Sequence, residues 1–276
     1  MIGILEALLV AVLAGFIGSL LGLGGAVILI PVLVYFGVPV KYAIGASMIA
    51  IIATSSGSAS SYVREGFSNV RAAFFLEVFT APGAIVGAVI TSFVAPTYLY
   101  FFFAIFLATS FYGLRGRIGR AGPAAVHQDA LARSLKLEGS YFDKAEGKEV
   151  VYTLNRPLLA GPGMFVAGLA AGMLGIGAGA FKTTVQELVM GMPSKVATAT
   201  SNFIMGMTAL AGASVYFTSG LVYLNLAAPL AIGTTLGSLA GARLLPGVGN
   251  RTVRLLFLTV LVVLIVEMLY EGVASL

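Results

Sequence analysis

Gly15-Phe-Ile-Gly-Ser-Leu-Leu-Gly-Leu-Gly-Gly-Ala-Val-Ile-Leu-Ile-Pro31 decides how this chain is read, because it occurs twice. The second copy is Gly168-Leu-Ala-Ala-Gly-Met-Leu-Gly-Ile-Gly-Ala-Gly-Ala-Phe-Lys-Thr-Thr184. Each copy passes from a long apolar segment through Gly-x-Gly into a shorter apolar segment. In a soluble protein such a turn cradles phosphate. Of these 276 residues, however, 59% are hydrophobic and 10% charged, against about 25% charged in an ordinary soluble domain. Charge is expensive in hydrocarbon, so this composition describes a polytopic membrane protein.

The repeat extends beyond the glycines. Gly15, Gly22 and Gly24 match Gly168, Gly175 and Gly177 at an offset of 153 (15 to 168). After one inserted residue the offset is 154 (37 to 191). Gly37-Val-Pro-Val-Lys41 then matches Gly191-Met-Pro-Ser-Lys195, and Ala46-Ser47 matches Thr200-Ser201. Gly83 and Gly87 match Gly237 and Gly241, each pair a Gly-x-x-x-Gly surface for close helix packing. A single slip across so many matches marks an internal duplication. Apolar segments fall at 3–21, 26–36, 42–62, 72–94 and 98–114, then at 158–174, 178–190, 196–217, 226–245 and 252–269. Full-length segments span a core about 30 Å thick. The shorter pieces after each glycine stretch reach only about 20 Å.

Residues 115–156 differ from both halves, with eight Lys/Arg and five Asp/Glu. The pattern predicts a short amphipathic helix over 124–137 and a β-hairpin turning near Lys144-Ala-Glu-Gly147. The domains are therefore membrane repeat 1 (1–114), a soluble insert (115–156) and membrane repeat 2 (157–276). Lys and Arg favour cytoplasmic loops, which puts the insert inside, with Arg64 and Arg71. Arg243, Arg251 and Arg254 put the 243–254 loop inside as well. Both assignments hold only if each glycine stretch is the tip of a hairpin that returns to its own side. The expected fold is an all-α polytopic membrane protein of two inverted repeats, each a glycine-tipped helical hairpin plus three transmembrane helices. Both termini then lie outside. Inverted repeats with broken helices are a common transporter plan.

Non-helical backbone at membrane depth survives only where it lines a cavity or is buried in protein. A Gly-x-Gly break exposes N–H groups at a helix start, and these favour an anion. Gly22, Gly24 and Gly25 of one tip and Gly175, Gly177, Ala178 and Gly179 of the other are thus candidate substrate-binding positions. Lys182, about a turn past Gly179 inside an apolar run, adds a positive charge. Thr183, Gln186, Ser47, Ser201 and Asn202 supply uncharged hydrogen bonds at similar depth. Glu77 lies inside its helix and is a candidate for carrying a coupling proton. Glu187 is placed at the interface.

Other classes drop out. There are no cysteines, so neither disulfides nor thiolate sites exist. The single histidine, His127, sits in the polar insert and reads as solvated. No cofactor, metal or catalytic group is expected, and the chain is not read as an enzyme. No Walker-type phosphate loop occurs, which leaves an ion gradient as the energy source. The net charge of +5 resides in loops between apolar segments, so nucleic acid is not a partner. No cleavable signal peptide is evident at the amino terminus.

Gly22-Leu-Gly-Gly25 with Pro31, and Gly175-Ile-Gly-Ala-Gly179 with Gly191-Met-Pro-Ser-Lys-Val-Ala-Thr-Ala-Thr-Ser-Asn202, resemble the TauE/SafE family of sulfite and organosulfonate exporters. The resemblance covers roughly 3–114 and 158–269. It implies a permease of the prokaryotic inner membrane for small sulfur oxyanions: sulfite, thiosulfate or a short organosulfonate. Ala178 stands where such proteins commonly have glycine, and Thr184 where they have proline. The expected partners are that anion, the lipid bilayer and a coupling proton or sodium ion, with a homo-oligomer left open. The competing readings are a passive anion channel and a membrane scaffold working through the insert.

Overall fold

The computed structural model describes residues 3–115, 129–143, 147–244 and 250–274. Five helices form the first half: α1 Ile4–Leu21, α2 Ala26–Tyr35, α3 Val40–Arg64, α4 Val70–Phe93 and α5 Pro96–Arg115. The insert contributes α6 Ala130–Ser134, β1 Glu138–Asp143 and β2 Lys148–Thr153. The second half repeats the five: α7 Pro157–Leu174, α8 Gly179–Leu188, α9 Ser194–Thr218, α10 Leu224–Leu244 and α11 Asn250–Ala274. The chain is thus an all-α membrane protein with one small hairpin. Helices α3, α4, α7 and α10 are each long and apolar enough to cross a bilayer. Apolar side chains such as Leu5, Leu9, Leu13, Val78 and Leu236 project outward, as a lipid-facing surface requires.

The halves interlock in matched pairs of helices. Helix α1 packs along α10, and α4 along α7. A β-carbon on Gly15 would run into the Thr234 backbone, and one on Gly168 into the Thr80 backbone. Gly237 lies as tightly against Val12 and Phe16 as Gly83 does against Phe165 and Leu169. Without hydrophobic drive between helices in lipid, such backbone-to-backbone approach provides the packing. Tyr62 donates to the Ser19 carbonyl at 2.8 Å, and Tyr216, 154 positions on, to the Gly172 carbonyl at 2.7 Å.

The insert departs from expectation at its start. Helix α6 is one turn long, not a run over 124–137. Asp129 caps it by accepting from the Ala132 N–H at 2.7 Å. Lys136 then turns left-handed at φ 50°, ending any helix before β1. Residues 124–128, with His127, lie outside the described residues, as do 144–146 at the hairpin turn. Strands β1 and β2 pair antiparallel, with Tyr141 opposite Val150. Tyr141, Asp143 and Tyr152 share the buried face, while Phe142 and Val151 face outward.

That buried face docks on both halves. Tyr141 packs on Phe67, and Asn69 donates to the Tyr152 hydroxyl at 3.4 Å. Lys195, at the start of α9, donates to Asp143 at 2.6 Å, both side chains being essentially unexposed. Breaking a buried pair from one side strands a charge, at a cost of about 3–5 kcal/mol. Asp143→Ala or Lys195→Met alone therefore lowers the melting temperature of the detergent-solubilised protein. Combining them recovers much of the loss; an additive double variant contradicts this account.

Candidate functional site

Both glycine tips are built alike. Helix α1 ends when Gly22 turns left-handed at φ 73°, and α7 ends when Gly175 does so at φ 64°. Left-handed backbone suits glycine because a β-carbon would crowd the following carbonyl. A second left-handed glycine follows in each tip, Gly24 at φ 75° and Gly177 at φ 67°. In the second tip, Ala178 continues at φ 49°. A non-glycine residue held there costs about 1–2 kcal/mol.

The fold brings the two tips together. A β-carbon on Gly179 would strike the Gly22 carbonyl oxygen. The Met205 sulfur lies against both Gly24 and Gly177, as does the Ile51 side chain. Gly22 rests on Thr198 of α9, and Gly175 on Ile44 of α3, so each tip is seated on the other half's long helix. All seven tip positions named from the sequence are buried.

Polar groups in the second tip are left open. Among the described residues, no hydrogen bond is made by the backbone N–H of Gly177, Ala178, Gly179 or Ala180; the Phe181 and Lys182 amides return to the Ala178 carbonyl. In the first tip the Gly25 and Val27 amides are likewise unbonded. The side-chain amide of Gln186 and the Ser47 hydroxyl are buried without a partner, and so is the Asn202 carbonyl oxygen. Buried polar groups are ordinarily bonded, and each exception calls for a reason. Not every candidate is free. Thr183 donates within its own helix to Gly179 and Ala180. Ser201 lies 3.4 Å from the Gly179 carbonyl. The Asn202 amide nitrogen is taken by the Ser19 carbonyl at 3.0 Å and the Thr198 carbonyl at 3.1 Å.

Lys182 does not reach for the surface. It is 0% exposed, and its ammonium donates to the Thr208 hydroxyl at 2.8 Å. Thr208 donates in turn to Glu77 at 2.9 Å, and Thr80 donates to the same carboxylate at 2.6 Å. The lysine of one half and the carboxylate of the other are thereby joined through one hydroxyl. Glu187, expected at the interface, is buried beside Gln186. Thr208, Thr80, Met205 and Ile51 do not stand out in the sequence. Thr80 is three residues from Glu77, a helical contact distance, and is the one legible of the four.

Apolar helices thus surround a buried, partly unsatisfied polar centre, and comparison with known proteins gives the class, a membrane transporter. The family model described as "Sulfite exporter TauE/SafE" matches residues 7–268, and the chain belongs to that family. It is 26% identical over 274 residues to "Probable membrane transporter protein YunE" of Bacillus subtilis (strain 168), covering 95% of this chain and 96% of that one. It is 27% identical over 246 residues to "Probable membrane transporter protein YdhB" of the same organism, covering 88% and 89%. "Probable membrane transporter protein ORF9" of Sinorhizobium sp is 24% identical over 264 residues, covering 95% and 90%. No solved structure matches the chain.

The tip geometry sets up a contrast. Ala178→Gly relieves left-handed strain of about 1–2 kcal/mol but adds about 0.4–1 kcal/mol of unfolded-state entropy. The melting temperature should therefore hold or rise. Gly177→Ala lowers it, since the new β-carbon meets the Met205 sulfur at 2.9 Å on left-handed backbone. Equal effects of the two changes would contradict the tip geometry.

Proposed function

We propose that the chain is a secondary transporter of a small sulfur oxyanion, such as sulfite, thiosulfate or a short organosulfonate. The anion binds where the two tips meet, and the halves move against each other to give alternating access. One observation carries the reading: the start of α8 holds unbonded amides beside the other tip, deep among buried residues. Helix-start amides attract anions, and a dry surrounding strengthens that attraction. Lys182 supplies the charge. Gln186, Ser47 and Asn202 supply hydrogen bonds that nothing else in the described residues uses. The identity of the anion follows the family description rather than any contact in the site.

The halves are read as inverted repeats, 1–114 and 157–276, in the cytoplasmic membrane, with the insert inside and both termini outside. The matched contacts of Gly15 with Thr234 and Gly168 with Thr80 support a two-fold relation. The Lys and Arg distribution supports the inversion.

Two measurements test this. In proteoliposomes, wild type moves radiolabelled sulfite, thiosulfate or ethanesulfonate saturably above the protein-free rate. Losing a charged hydrogen bond in Lys182→Ala slows it by more than about tenfold. No flux of any of the three, or flux unchanged in the variant, overturns the reading. For topology, the chain's lack of cysteine leaves a blank background. Arg64→Cys and Thr218→Cys occupy matching, exposed positions. Inverted halves make an impermeant thiol reagent label Thr218→Cys from outside and Arg64→Cys only after permeabilisation; labelling from one side overturns the inversion.

A further inference from the structure

The scaffold is two-fold in its packing, but its charge is not. At the 154 offset Glu77 and Thr208 correspond to Ala231 and Thr54, and at the 153 offset that aligns α2 with α8, Lys182 corresponds to Leu29. Among the described residues Thr54 donates only to the Ala50 carbonyl, the local bond that Thr208 also has available to Ile204. The charged triad therefore serves no need of the shared fold. It belongs to something done once.

The Glu77 carboxylate is held by two hydroxyl donors, Thr80 and Thr208, with the Lys182 ammonium behind Thr208. Two hydroxyls on the carboxylate, one of them backed by an ammonium, are the kind of donor set an oxyanion needs. A carboxylate of the protein itself occupies it. We infer that Glu77 is a built-in competitor of the transported anion for Lys182 and Thr208, and that each anion is admitted with one proton taken up by Glu77. This rests on the reading that Lys182 binds the anion.

Charge balance supports the exchange. Lys182 and Glu77 sum to zero in a dry interior. An arriving anion makes the sum negative, and an unbalanced buried charge is strongly unfavourable. A proton on Glu77 restores zero for a singly charged anion. It also turns the carboxyl into a donor, freeing Thr208 to serve the newcomer. A doubly charged anion leaves one negative charge uncompensated. The site thus favours monovalent oxyanions, hydrogen sulfite or a sulfonate, over dianions. Nothing else facing Glu77 among the described residues takes over this role. Helix α7 carries no ionisable side chain. On α9, Lys195 is paired with Asp143, and the Tyr216 hydroxyl is turned to Gly172. On α8 the other ionisable group is Glu187, more than a turn beyond Lys182.

The test is anion binding to the purified full-length protein by calorimetry, with ethanesulfonate as probe because it stays fully ionised from about pH 5 to pH 9. Wild type should take up about one proton per ethanesulfonate, read in two buffers of different ionisation heat. Its affinity should fall by up to about tenfold per pH unit on the alkaline side. Glu77→Gln keeps one acceptor oxygen, enough for the single carboxylate oxygen to which Thr80 and Thr208 both donate, but carries no charge. From about pH 5 to pH 7 it should bind ethanesulfonate at least as tightly as wild type, with no pH slope and no proton uptake. Thr208→Val should weaken binding, and Thr208→Ser should restore it. Wild-type binding without proton uptake, or a pH slope retained in Glu77→Gln over that same range, overturns the inference while leaving the transporter reading in place. Wild type that binds no ethanesulfonate at any pH, with no sulfite flux in liposomes, overturns both. The proton count needs only wild type, so a poorly folding variant does not rescue the idea.

Discussion

The structure depends on one constraint: a helix interrupted inside a membrane must find partners for the backbone it leaves bare. Water is not available there, and an unsatisfied amide or carbonyl costs several kcal/mol. The chain meets this by bringing two interruptions to one place and covering each with the other half. Gly22 and Gly175 sit on Thr198 and Ile44 of the opposite long helices, and Met205 and Ile51 lie against both tips. Carbonyls at the ends of α1 and α7 are largely taken up: Leu23 and Gly24 return to Gly18, and Gly175 returns to Ala171. The amides starting α8 are not. The imbalance leaves a donor-rich spot where the tips meet, and the anion-binding proposal starts from it.

Duplicated packing and single-copy chemistry divide the sequence between them. Small residues at matched positions let α1 approach α10 and α4 approach α7, and these pairs hold the halves together. Charge has been added to one arm only. A symmetric scaffold supports motion between related arrangements, because an interface that opens on one side has a counterpart that closes on the other. Lys182 and Glu77, which have no ionisable counterparts at the matching positions, break that symmetry in charge.

Much of the architecture was legible from the residues. Apolar runs punctuated by Gly37-Val-Pro39, Pro96 and Gly191-Met-Pro193 place the helices to within a few residues, because glycine and proline act locally on the backbone. Lys182 and Glu77 stood out because ionisable groups are conspicuous in apolar runs. That they share Thr208 was not legible. The two lie in different halves, and hydroxyls are ordinary in membrane helices. The amphipathic helix over 124–137 was overdrawn because a pattern of alanine and leucine says nothing of where a cap sits. Asp129 begins the turn and the left-handed Lys136 stops it.

The hairpin of the insert is fastened at both ends of the duplication. Arg71 donates to the Lys136 carbonyl, and Asn69 reaches Tyr152, from the first half. Lys195 grips Asp143, and the Asn155 amide bonds the Met190 carbonyl, from the second. A relative displacement of the halves at this end cannot occur without loosening one fastening or bending the ribbon. The two strands therefore act as a strap buckled to both halves at once.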